Sequence, residues 1–119
     1  MSGQPSELDL VATAHRCLGG DEPMALVRIY EFADDVETHD DELQKRLDQD
    51  FEAAFTRASE TLSTAFGPGT RPDEEGESSI PVGGVFCAME WNIGGQRLYL
   101  VAAHEDRETP FLLILGVDR

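Results

Sequence analysis

Apolar residues recur by threes and fours without a break at Leu43, Leu47, Phe51, Ala54, Phe55, Ala58, Leu62, Ala65 and Phe66. That spacing places them on one stripe of a helix. Thr38 or Asp40 can cap its start, Asp41 and Glu42 suit the positive end of its dipole, and Gly67-Pro68-Gly69 ends it. The pattern predicts a helix over 40–66 that must lie on a sheet or on another helix. A shorter helix is predicted over 7–18, where Leu8, Val11, Ala12, His15 and Leu18 share a face. Ser6 to Asp9 resembles a capping box before it, Gly19-Gly20 follows it, and residues 1–5 read as frayed.

The period then changes. Met24 to Phe32 carries Val27, Ile29, Tyr30 and Phe32, which favour a strand. Pro23 ahead of Leu26, Val27 and Tyr30 would also suit a helix start, so both remain open, with strand preferred. Residues 67–81 read as a mobile acidic loop with no apolar anchor before Ile80. Beyond it, alternation predicts a meander. Val85, Cys87, Met89, Trp91 and Ile93 are expected on one face of the first strand, with Phe86, Ala88, Glu90 and Asn92 on the other. Gly94-Gly95 marks a tight turn into residues 97–103. Phe111 to Val117 is apolar on both faces and should sit centrally in the sheet. The expected architecture is α+β, in the order α-β-α-β-β-β, with helices packed on an antiparallel sheet and one domain over residues 1–119.

Composition narrows the class. A chain of 119 residues that is 40% hydrophobic has room for one core. It holds no apolar run long enough to span a membrane. Met1 to Pro5 lacks the basic and apolar parts of an export signal. Cys17 and Cys87 lie far apart and form no CxxC pair; a disulfide between them stays open, but reduced thiols and a cytoplasmic protein are the preferred expectation.

Charge changes the picture most. Asp and Glu number 24 against nine Lys and Arg, a net charge of −15. Self-repulsion on that scale opposes compaction. A cationic partner would account for it, and so would a solubility surface adapted to a salty cytoplasm. The sign of the charge argues against nucleic acid as a ligand, since phosphate binding needs the opposite one.

Chemistry has little to rest on. The runs Glu37 to Glu42 and His104 to Asp106 gather imidazole and carboxylates without a ligand spacing such as HExxH or an EF-hand loop. Cys17 and Cys87 fall on apolar faces, where burial blunts a thiol. No GxSxG, P-loop or GxGxxG occurs. The residues therefore point away from an enzyme, with no cofactor and no metal expected.

Two acidic blocks carry the binding reading. Glu31 to Glu42 holds seven carboxylates and no Lys or Arg: Glu31, Asp34, Asp35, Glu37, Asp40, Asp41 and Glu42. Asp73, Glu74, Glu75 and Glu77 form the second. Arginine and lysine on a partner would pair with them in charge-assisted hydrogen bonds, with Trp91 as the apolar anchor if its sheet face is open.

The run Trp91 to Leu100, then His104-Glu105-Asp106 and Pro110 to Gly116, is similar to the C-terminal strands of immunity proteins of bacterial polymorphic toxin systems. That resemblance implies a stoichiometric inhibitor that covers the active or substrate-binding surface of a cognate toxin, often a basic nuclease, with acidic side chains standing in for phosphates. Two alternatives remain. One is an acidic secretion chaperone that holds an effector on an apolar sheet face as a homodimer; the other is a small hydrolase using a metal at His39 or His104.

Overall fold

The computed structural model describes residues 7–20, 22–75 and 79–118. The N-terminal stretch expected to fray, the Ser6 end of the capping box and Glu77 lie outside them. Helix α1, Glu7–Leu18, buries Leu10, Ala14 and Cys17, a helical spacing of four and three. It stops where the Gly19 and Gly20 amides donate to the carbonyls of His15 and Cys17. This is not the face that the sequence spacing predicts: Ala12 and His15 are exposed and Val11 and Leu18 only part-buried, and the His15 ring meets Phe66 edge-on at 5.4 Å.

The ambiguous segment is strand β1, Met24–Tyr30. After it comes a helix too short to leave a period in the sequence, α2, Asp35–Thr38, nucleated by the Asp34 side chain accepting from the Glu37 amide at 3.0 Å. Helix α3, Asp41–Phe66, is capped by Asp40, whose carboxylate accepts from the Leu43 amide at 3.1 Å. Leu47, Phe51, Ala54, Phe55, Ala58 and Leu62 are all buried, as the spacing predicts. Gly67, at φ 93°, ends the helix with a backbone that a β-carbon disfavours.

Strands β2 (Val85–Ile93), β3 (Gln96–Ala103) and β4 (Phe111–Asp118) complete a four-stranded sheet in the order β1-β4-β3-β2, antiparallel throughout. The fold is therefore α+β in the expected order, and β4 lies inside the sheet. Both long helices pack on one face, where Phe51, Leu62, Trp91, Leu98, Leu100, Phe111 and Leu115 form the main core. On the other face Tyr99, Val101 and Ile114 lie under Ile80, which is 4% exposed. Gly116 leaves room there for the Tyr99 ring, which a β-carbon would strike.

Three further expectations change. A register shift between Val85 and Cys87 marks a bulge in β2. It turns Val85 to the outer cluster and brings Phe86 edge-on to Phe111, at 6.4 Å, reversing both side chains from simple alternation. The segment after α3 is anchored well before Ile80. Thr70 exchanges backbone hydrogen bonds of 2.9 and 2.8 Å with Glu90 along the outer edge of β2. Arg97 then ties Ser79, Asp118 and Glu90 together, donating at 2.8, 2.8 and 3.3 Å. Trp91 is the third, and it bears on the site. Among the described residues no helix is long and apolar enough to cross a membrane.

Candidate functional site

Antiparallel register decides which loops meet. Tyr30 at the end of β1 lies beside Phe111 at the start of β4, and Ala103 at the end of β3 beside Leu112. The connection from β1 to α3 and the connection from β3 to β4 therefore emerge at the same end of the sheet. This brings Glu105, Asp106 and Glu108 to the block Glu31–Glu42. Nine carboxylates are exposed there: Glu31, Asp34, Asp35, Asp40, Asp41, Glu42, Glu105, Asp106 and Glu108.

Specific bonds hold the two segments together. The Gln44 amide donates to the Thr38 carbonyl at 3.1 Å and to the Arg107 carbonyl at 3.0 Å. Arg107 donates to the Thr38 carbonyl at 2.7 Å and pairs with Asp41. The hydrogen bond from the Arg107 guanidinium, and then its charge, hold the Asp41 carboxyl below its usual range and keep it ionised. Arg107 is the single Lys or Arg in these two segments, and it serves as their clasp.

The acidic side chains are not equivalent. Asp34 and Asp40 are helix caps. Glu37 is half-buried, and its carboxylate accepts from the Tyr30 hydroxyl and the Ala33 amide, each at 2.9 Å. Removing a cap costs about 0.5–2 kcal/mol and losing a part-buried acceptor a similar amount, so these three report on folding as much as on binding. Asp35, Glu42 and Glu108 are exposed, and their carboxylates are spent on no such internal bond with the described residues. They are left for a partner, as are Glu31, Glu105 and Asp106.

The second block does not join the first. Asp73, Glu74 and Glu75 are exposed between the Thr70 bridge on the outer edge of β2 and buried Ile80. That is the edge of the sheet opposite β1. Glu77 lies outside the described residues.

Trp91 is corrected as an anchor. It is 3% exposed within the helix-side core, and its indole N–H donates to the Gly67 carbonyl at 2.9 Å. Gly69 packs so close to the ring that a β-carbon there would sit 2.7 Å from it. The condition of an open face is not met, because α3 and the Gly67–Gly69 stretch that follows it cover the ring. Among the described residues the exposed large apolar side chains are instead Met24, Leu26, Ile29, Val36 and Phe86. Sequence alternation could not separate these from core positions without knowing where the helices lie.

Neither run of imidazole and carboxylates gathers into a metal cage. Among the described residues no three His, Cys, Asp or Glu side chains are placed to share an ion. His39 bonds through Nδ1 to the Asp35 carbonyl at 2.8 Å. His104 stacks on Phe111, with centroids 3.7 Å apart and planes at 14°, and its Nε2 is buried without a hydrogen-bond partner. Burial lowers its pKa from 6.5, outweighing the Asp48 charge and the Thr109 and Arg107 backbone contacts that favour the proton. The unfolded chain thus binds this proton more readily than the folded one. The neutral ring's contribution is complete above 6.5 and is lost as pH falls from there through the lowered folded value. His104→Gln should flatten that part of a urea-measured stability profile. Parallel profiles for the two proteins would rule the linkage out.

Cys17 is buried and Cys87 half-buried, both unbonded, with burial raising both thiols and leaving them poor nucleophiles. Comparison with protein-family models, with curated proteins and with solved structures finds no match for this chain.

Proposed function

We propose that this protein is a stoichiometric inhibitor of the immunity type, which neutralises a basic toxin such as a nuclease by covering its active surface. The observation that carries the reading is the convergence of nine exposed carboxylates from two chain segments on one end of the sheet, those segments holding one arginine, which clasps them. A surface of one sign raises the encounter rate of an oppositely charged protein and fixes its orientation. Carboxylates held on short, well-bonded loops also present a fixed array to arginine and lysine, as a phosphate backbone would. The domain acts in the cytoplasm, where Cys17 and Cys87 stay reduced, and requires no cofactor.

The test is capture of the cognate toxin from the source cell, followed by titration of its activity with purified protein. The expected result is a one-to-one complex and complete inhibition at the equivalence point. A captured partner with an acidic surface, or binding that leaves its activity intact, overturns the reading.

A secretion chaperone draws support from one observation, the exposed apolar side chains of β1. It would be a homodimer burying a large apolar interface. Sedimentation separates the two readings, since the inhibitor is expected as a monomer.

A further inference from the structure

The two edges of the sheet are treated differently. The outer edge of β2 is bridged by Thr70, while among the described residues no strand pairs with the outer edge of β1. Sheet edges are commonly guarded by lysine or by inward-pointing charge. Here β1 carries one charged residue, Arg28, and its guanidinium lies over the Phe51 ring, 5.0 Å from the centroid, on the helix side. The opposite side of the strand shows Met24, Leu26 and Ile29, which are 37, 53 and 42% exposed. The register shift between Leu26 and Arg28 leaves these three on one face, opposite Gly116, Ile114 and Leu112 of β4. The covering segment with Ile80 and Val82 packs on Tyr99, Val101 and Ile114 and leaves this strip open.

Charge identifies what fits. Exposed Glu22 stands just before the strand, and exposed Glu31, Asp34 and Asp35 stand just after it. A second copy added antiparallel would set Glu22 of one chain beside Glu31 of the other at both ends; added parallel, it would set Glu31 beside Glu31. Like charges face each other in either case, on chains that each carry −15. An extended segment with apolar residues on one face and arginine or lysine at its ends matches both features. We infer that the partner adds a basic, extended segment to the outer edge of β1 as a fifth strand. Its apolar side chains cover Met24, Leu26 and Ile29, and its cations meet Glu22 and the Glu31–Asp35 carboxylates. Backbone pairing supplies affinity in this mode, and the alternating side chains supply selection. The inference rests on the inhibitor reading and says where that partner grips.

The probe is a strand-length peptide of alternating valine and threonine with arginine at both blocked ends, followed by amide hydrogen exchange on the full chain. Binding should slow exchange in Met24–Tyr30 and be abolished when alternate peptide amides are N-methylated. Leu26→Lys, at an exposed position that spares the fold, should weaken binding about tenfold or more, since it removes the half of a leucine that the peptide covers and sets a like charge against the basic segment. Replacing the peptide's arginines by glutamate should remove binding. If the N-methylated peptide binds equally well, or protection appears only around 31–42, strand addition is overturned while the acidic-end reading stands. If the protein alone sediments as a dimer that Leu26→Lys dissociates, the occupant is a second copy and the inference fails. The acidic-end reading fails separately, when reversing the sheet-end charges leaves association of the cognate partner unchanged with Leu26 intact.

Discussion

Phe111→Ala should cost about 3–5 kcal/mol of stability, the range for deleting a fully buried aromatic ring. Phe111 is 0% exposed and is the meeting point of four rings. His104 stacks on it, Phe51 of α3 lies at 5.5 Å, Phe32 at 6.2 Å and Phe86 at 6.4 Å. These rings come from α3, from β2 and from both loops of the acidic end. Removing the ring opens a cavity and breaks several aromatic pairs at once. Domains of this size hold about 5–15 kcal/mol in all, so the variant keeps little reserve against the self-repulsion of −15 charges. Urea denaturation at unchanged slope should show the midpoint falling, with partial recovery in added salt as repulsion is screened. A loss under about 1 kcal/mol would mean that the aromatic cluster does not organise this end of the molecule.

The sequence made some of this legible because single-element periodicity is a local property. The stripe on α3 from Leu47 to Leu62 and the two-sided apolar character of β4 both survive in the fold. What depended on the relation between elements was out of reach. The bulge at Val85–Cys87 inverts two side chains that strict alternation assigns the other way. Helix α2 is four residues long, held by one Asp34 cap, and no period can be read from four residues. Trp91 alternates with Cys87 and Met89 on paper, but only the placement of α3 and of the chain after it shows that face to be closed.

The acidic blocks divide for the same reason. Strand order β1-β4-β3-β2 adds Glu105, Asp106 and Glu108 to the Glu31–Glu42 block and carries Asp73, Glu74 and Glu75 to the other edge. Sequence distance ranked those contributions in the opposite sense. Chain proximity also hid the difference between a carboxylate that caps a helix, as Asp40 does, and one left to a partner, as Asp35 is.

Location, and not net charge alone, is what the inhibitor reading requires. Two triple variants of equal net charge separate the two. Asp35→Lys, Glu42→Lys and Glu108→Lys reverse the sheet end while sparing both caps and the Arg107 clasp. Asp50→Lys, Glu52→Lys and Glu60→Lys reverse exposed positions on the middle and far turns of α3. Each set moves the chain from −15 by +6 to −9. Glu60 lies about 28 Å along the helix from Asp41 at the usual rise, well beyond a Debye length of about 8 Å in physiological salt. Stopped-flow association with the cognate basic partner is the decisive measurement. The sheet-end variant should associate about tenfold or more slowly than the unmodified protein, a gap that narrows as salt rises, while the α3 variant stays within about twofold of it. Equal slowing of both variants, or of neither, would contradict the account.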